Sequence, residues 1–372
     1  MTEVVLGNAS VVLRDEVVQG TVVIRDGLIA AIDQGSAHAN VDLEGDYLLP
    51  GLVDVHTDHL EKQSMPRGGV FWNAVNAART HDMIVCLGGT TTVFDSLVVG
   101  AVGNPDRLAL LPHMLGGIAA AREAGLLKVD HLLHLRCDLR EGELMEQLAP
   151  HLDDKTLRFV TAMDDGPNRD PDRYRRNKFR KGIATDVVEA EIAAAAAKGS
   201  ETEQANRNRL VSLCRELGVP LASHDDTRQW HIDEAVRFGM TLSEFPITLE
   251  SGRAAKAAGL SVIAGSPNVV LGRSHGTNVS VRDLAAEGLV DVLCSDYVPA
   301  SMLHAVWQLT QPPLDMSLPE ATAMASARPA ELFGLSDRGE IALGKRADLI
   351  RVREHDGKPV VHNVWVGGAR VV

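Results

Sequence analysis

Two textures of apolar and polar positions alternate along the chain. Over residues 1–50, runs of β-branched and aliphatic residues (Val4-Val5-Leu6, Val11-Val12-Leu13, Gly20 to Ile24, Leu28 to Ile32) are separated by Gly, Asn and Asp. That pattern predicts short strands joined by tight turns. Arg25-Asp26-Gly27 predicts a hairpin, because Gly supplies the positive φ such a turn needs. The same texture returns over 339–372, in Gly339 to Leu343, Ala347 to Val352, Val360-Val361, and Val364 to Val371 around Gly367-Gly368. Two alike ends around a different middle predict one small β domain built from 1–50 and 335–372; the alternative is two unrelated β appendages.

The middle, 51–334, has another rhythm. Apolar segments of strand length recur at Leu52 to Thr57, Thr90 to Asp95, His131 to Cys137, Leu157 to Met163, Pro220 to Ser223, Thr241 to Phe245, Ser261 to Gly265 and Val290 to Ser295. Helix-compatible stretches separate them, among them the Ala- and Glu-rich 185–217 and Ala254 to Ala258. Eight strands alternating with helices predict the α/β class and a (β/α)₈ TIM-like barrel. An open doubly wound sheet would usually carry a glycine-rich loop after its first strand, and none follows Thr57.

Composition narrows the function classes. The chain has 372 residues, 45% hydrophobic but only 4% aromatic, and a net charge of −13. An acidic chain poor in stacking residues argues against nucleic-acid and acidic-membrane partners. Cys86, Cys137, Cys214 and Cys294 form no CxxC pair, so neither a disulfide scaffold nor a cysteine zinc knot is expected. The first residues lack a basic segment followed by an apolar one, and no apolar run reaches membrane-spanning length. A cytoplasmic enzyme is the expectation.

The chemistry gathers at the ends of the expected strands, where a barrel places its active site. The first ends Val55-His56-Thr57-Asp58, with His56 and Asp58 at i and i+2 on one side. The third carries His134 and Arg136, and the fourth ends Met163-Asp164-Asp165. The fifth ends His224-Asp225-Asp226, the sixth Glu244-Phe245, the eighth Ser295-Asp296. So many ionisable groups in one mouth are costly unless metal or substrate neutralises them, which predicts a metal-dependent hydrolase.

This arrangement resembles the amidohydrolase superfamily, through Leu48-Leu49-Pro50-Gly51-Leu52-Val53-Asp54-Val55-His56, the fifth-strand His, the eighth-strand Asp, and the tail Gly339-Glu340-Ile341 to Gly344-Lys345-Arg346-Ala347-Asp348-Leu349. One branch is more similar: the α-D-ribose 1-methylphosphonate 5-triphosphate diphosphatases of the carbon–phosphorus lyase pathway. The blocks that carry the likeness are His56 to Lys62 with Pro66-Arg67, Leu133 to Cys137, Ala222 to Asp226, Glu244 to Pro246, Pro267 to Val270 with Gly272 and Ser274-His275, and Ser295 to Ser301. The resemblance implies that the terminal β domain is a β-sandwich. It also implies hydrolysis between the α and β phosphates of a phosphorylated sugar phosphonate, with release of diphosphate.

In that reading Asp296 ligates metal and accepts the proton of the attacking water. His56, Asp58 and His224 are further ligands, and His134, Asp164 and Glu244 are ligands or groups that orient them. The cofactor is one or two divalent ions, zinc first, with manganese and iron as alternatives. The chain also departs from the superfamily: HxD replaces HxH, no Lys ends the fourth strand, and Glu244 stands where many relatives have His. His59 and residues 68–73 differ from the branch, which leaves room for an altered sugar or aglycone preference.

Residues 169–181 concentrate Arg169, Arg173, Arg175, Arg176, Lys178, Arg180 and Lys181 against Asp170 and Asp172. Leaving the catalytic end of the fourth strand, this segment is expected to lie over the mouth and close on the polyphosphate, through Arg175 and Arg176. Lys62, Arg67, Arg136, Arg273 and His275 are the other expected substrate contacts. Ring opening of a cyclic amide, deamination, or a non-catalytic assembly role on the same fold are the competing functions, and a homo-oligomer is compatible with all of them.

Overall fold

The computed structural model describes residues 3–35, 39–274 and 278–372. Eight parallel strands, Leu52–Thr57, Thr90–Val99, Asp130–Asp138, Leu157–Met163, Leu221–His224, Leu242–Glu244, Ser261–Gly265 and Val292–Cys294, lie side by side in chain order. The seam between the last and the first is pinned at the mouth. There Asp296 N donates to His56 O (3.0 Å) and Asp58 N to Asp296 O (2.7 Å), while Ser295 N donates to the buried Asp54 Oδ1 at 2.9 Å. Lower down, Val53 N and Leu293 N turn instead to Ala325 O and Met324 O, each at 2.9 Å. The barrel is therefore closed by backbone at the level of the expected site.

Strand alternation fills the inside with Val53, Val55, Phe94, Phe159, Ala222, Leu242, Ile263, Val292 and Cys294. Phe333 plugs the far end, with ring centroids 5.0 Å from Phe94 and 5.1 Å from Phe159. This is a packed interior with polar groups confined to the open end, as barrel geometry requires. No helix among the described residues is long and apolar enough to cross a membrane.

Both termini enter one eight-stranded, mostly antiparallel sheet. The junction is Leu349–His355 paired antiparallel with Tyr47–Pro50, which in turn runs parallel to Glu3–Val12. The two hairpin turns foreseen at Asp26-Gly27 and Gly367-Gly368 both carry two successive positive φ angles. Three details differ from the sequence reading. The first two apolar runs are one strand, broken by a register shift between Leu6 and Ala9 where Asn8 takes φ 55. Helix 185–217 is two helices, Thr185–Lys198 and Glu201–Leu217, parted at Gly199. Gly339 to Leu343 forms no strand: Gly339, at φ 92, is pressed against Ala330 and Ser326 O so closely that a Cβ would lie 2.7 Å from the Ala330 Cβ. Its apolar Ile341 is buried in the sheet's core without joining the ladder.

Asp46 ties the two ends of the chain together, accepting from Arg351 Nε (2.5 Å) and Arg353 Nε (2.8 Å). Burial alone would raise its pKa, but the two guanidinium groups hold it below the usual range. A depressed carboxylate stabilises the fold above its unfolded pKa of about 3.9 and loses that contribution as pH falls through the folded value. Asp46→Asn is therefore expected to melt lower than the wild type at pH 7, by an amount worth about 1–2 kcal/mol, because the buried Arg351 then keeps only Leu43 O and the exposed Glu44 as partners. The gap should close as both are titrated below pH ~3; thermal melts across pH check it.

Candidate active site and metal centre

The mouth encloses a cavity of about 520 Å³, lined by Asp58, Arg136, Arg173, Asn177, Arg180, His224, Asp225, Phe245, Asn268, Asn278, Asp296 and Tyr297. Three of these residues, Asp225 (φ 53), Phe245 (φ 59) and Asp296 (φ 53), lie one or two positions past the fifth, sixth and eighth strands, and all take left-handed backbone. Such conformations are unfavourable for non-glycine residues and collect where a side chain must be aimed.

Glu244 organises the imidazoles. Fully buried, it faces His56 Nδ1 with one oxygen (2.6 Å) and His224 Nδ1 with the other (2.9 Å). Each histidine thereby turns Nε2 the other way. His56 Nε2 is buried without a hydrogen-bond partner, 3.5 Å from Asp58 Oδ1. One donor atom each from His56, Asp58 and Asp296 lies within 4.8 Å of the other two. Burial alone would raise Asp58 and Glu244, but Arg136 beside Asp58, and His56 and His134 beside Glu244, hold both below the usual carboxylate range. Burial lowers and the Glu244 charge raises His56, to about 10, so the local field favours a cation there. An orphaned imidazole nitrogen between two carboxylates suits a divalent ion.

His134 sits deeper, stacked on Phe159 at 4.0 Å, with Nδ1 2.9 Å from Ser96 Oγ and Nε2 2.7 Å from Thr161 Oγ1. Its Nε2 is 4.0 Å from Glu244 Oε1. Arg136 bonds Asp58 across the mouth. Lys62 donates to Tyr297 O (3.2 Å) and lies 5.2 Å from the Tyr297 ring centroid, bracing the residue beside Asp296.

Several expected residues fall elsewhere. Asp164 does not join the ligands: Thr161 faces inward to His134, so alternation carries Asp164 to the outer side, where Arg207 holds it at 2.7 Å. There it helps line a separate outer cavity of about 530 Å³ together with Arg169, Arg207 and Glu234, whose charges are paired with one another. Arg175 is bound to Glu189 (2.6 Å) and Asp172 (3.0 Å), and Arg176 is exposed; neither lines the mouth. Arg67, in a turn with Val70, and Arg273 are also exposed and absent from the lining. His275 lies outside the described residues. The residues that do line the mouth from the basic segment are Arg173, Asn177 and Arg180, at i, i+4 and i+7 of helix Pro171–Arg180. Helical phase was the signal that could have chosen them.

The fold is a hydrolase barrel with candidate metal-ligating groups at its mouth, and residues 47–371 match the amidohydrolase family. The chain belongs to that family, whose members are generally divalent-metal enzymes. It is 36% identical, over 99% of its length and 100% of the relative's, to the α-D-ribose 1-methylphosphonate 5-triphosphate diphosphatase of Escherichia coli (strain K12). An adenine deaminase of Desulfatibacillum aliphaticivorans is 26% identical over 100% of this chain, which spans 58% of that longer protein. Among solved structures, 5-methylcytosine deaminase from Klebsiella pneumoniae superposes with a TM-score of 0.68 at 14% identity, covering 99% of this chain and 98% of that one. N-acetyl-D-glucosamine-6-phosphate deacetylase from Mycobacterium smegmatis gives 0.65 at 20% identity, covering 99% and 100%. These two likenesses establish the fold alone.

Orientation of the histidines by Glu244 has a measurable consequence. Glu244→Gln keeps the size of the side chain but cannot accept from two imidazoles, so it is expected to weaken divalent-metal affinity about 10- to 100-fold. Metal titration of the variant, with circular dichroism to monitor folding, checks this. Unchanged affinity would remove Glu244 from the orienting role.

Proposed function

We propose that the chain hydrolyses the α–β phosphoanhydride of a ribose 1-phosphonate 5-triphosphate, with His56, Asp58, His224 and Asp296 holding the metal. The observation that carries this reading is the company the carboxylates keep: Arg136, Arg173 and Arg180 line the same cavity as Asp58 and Asp296. A neutral cyclic amide or a nucleobase needs no such cationic wall, whereas a triphosphate does. The full-length likeness to the Escherichia coli diphosphatase supports the same substrate class.

A divalent ion, when bound, neutralises phosphoryl oxygen charge and favours ionisation of the nucleophile. Two imidazoles and two carboxylates suit zinc first, then manganese or iron. The protein does the rest. Arg173, Arg180 and Asn177 hold the β and γ groups away from the carboxylates, and Arg136, fixed by Asp58, faces the cavity beside them. Asp296 accepts the proton of the attacking water as oxygen adds to the α-phosphorus; the bond from that phosphorus to the bridging oxygen breaks, and diphosphate leaves. The sugar 5-phosphate remains as the second product. Four buried, unpaired cysteines suit the reducing cytoplasm.

Phosphorus NMR on the metal-loaded enzyme given the methylphosphonate triphosphate should show diphosphate and no free orthophosphate. Faster turnover of a dihydropyrimidine or of adenine than of the triphosphate would overturn the assignment in favour of amide or deaminase chemistry.

A further inference from the structure

Behind the barrel wall lies a second cluster of titratable side chains that the mouth chemistry leaves unused. The alternation that turns Phe94 and His134 inward turns Asp95 and His131 outward from neighbouring strands. Helix Ala74–Leu87 covers them and contributes His81 and Asp82; helix His59–Ser64 adds His59. All five side chains are buried.

The geometry points to a second divalent-cation site, held by His81 Nε2, an Asp95 carboxylate oxygen and His131 Nδ1 behind the second and third strands. His81 Nε2 is 2.9 Å from Asp95 Oδ1, and His131 Nδ1 is 2.9 Å from Asp95 Oδ2. One donor atom from each of the three residues lies within 4.8 Å of the other two. Each histidine is also gripped from behind: His131 Nε2 faces Asp82 Oδ1 at 3.3 Å, and His81 Nδ1 faces His59 Nδ1 at 3.0 Å. Fixing the remote ring nitrogen in this way is what outer partners do for metal-ligating histidines.

Charge argues in the same direction. The Asp95 and Asp82 carboxylates lie in a water-poor place, Asp82 accepting from the Lys128 and Val129 backbone N–H groups, and a divalent ion beside Asp95 would offset their charge. Two imidazole, one carboxylate donor sets with one position open suit zinc. A cleft of about 380 Å³ between Ile118, Arg122, Leu133 and Thr156 reaches Asp95 from outside the barrel. It offers an entry path and room for a water as the fourth donor. The competing occupants are protons, which would make the cluster a charged hydrogen-bond network.

The site stands independently of the phosphoanhydride reading, and zinc alone tests it. A full-length variant carrying His56→Asn and Asp296→Asn, loaded with zinc and desalted, is expected to retain one zinc per chain more than the same protein with His131→Gln added. Anomalous scattering from zinc-loaded crystals of the His56→Asn/Asp296→Asn protein should place that ion between His81, Asp95 and His131, and this arm needs no folded His131 variant. Equal zinc content with and without His131, or no anomalous peak at the cluster, would overturn the site and leave protons as its cations.

Discussion

Asp296→Asn is expected to lower kcat by about 10³-fold or more, the scale of losing a general base, while the fold persists. The substitution is clean for two reasons. Asp296 adopts φ 53, a conformation Asn tolerates better than Ala or any branched residue would. The bonds that close the barrel seam here, Asp296 N to His56 O and Asp58 N to Asp296 O, belong to the backbone and survive the change. What is lost is a basic oxygen at the meeting point of His56 and Asp58. Steady-state kinetics, a thermal melt and metal content on the same preparation separate the roles. Lost turnover with retained metal marks proton acceptance; lost turnover together with metal marks ligation. Near-normal turnover would shift proton acceptance to another group, Asp58 being a carboxylate of the same cluster.

The barrel was legible because strand segments flanked by turn residues announce themselves: Leu52–Thr57, Leu157–Met163 and Ser261–Gly265 were read with the bounds the structure gives them. The polar residues ending those strands were legible too, since a barrel has one mouth and strand ends must meet there. What could not be read was the direction of residues just past a strand. Asp164 lies three residues beyond the inward-facing Thr161, an odd number of alternations, and so turns outside to Arg207. Nor does any local motif announce that Glu244 spans two imidazoles, because its partners come from the first and fifth strands. His81, Asp95 and His131 come from a helix and two strands, and their convergence appears only once outward-facing positions of those strands are covered by the helix. Gly339 to Leu343 carries a strand's pattern without being one, because Ile341 is buried with no partner strand beside it.

The basic segment gives the sharpest contrast between composition and geometry. Composition found the charge; phase decides its use. Asp170 caps helix Pro171–Arg180 by accepting from Arg173 N at 2.9 Å, and Pro171 fixes the first turn. With the start set, Arg173, Asn177 and Arg180 fall along one face and line the mouth, while Arg175, about 200° around from Arg173 at 100° per residue, meets Glu189. Neutralising Arg173 and Arg180 together by glutamine is expected to cut kcat/KM for the triphosphate about 10²-fold or more, mostly through KM, since each charge-assisted bond to phosphate contributes about 1.5–3 kcal/mol. Arg175→Gln with Arg176→Gln should stay near the wild type. Arg173 also bonds Asp165 (2.8 Å) and Asp225, so its loss leaves Asp225 facing the cavity, and Arg180→Gln alone serves as the milder arm. Salt supplies an independent readout: the wild-type KM should rise with ionic strength more steeply than that of the double variant, because screening removes what the mutation has already removed. A larger loss from the Arg175/Arg176 pair than from Arg173/Arg180 would take the polyphosphate off Arg173 and Arg180 and sink the clamp.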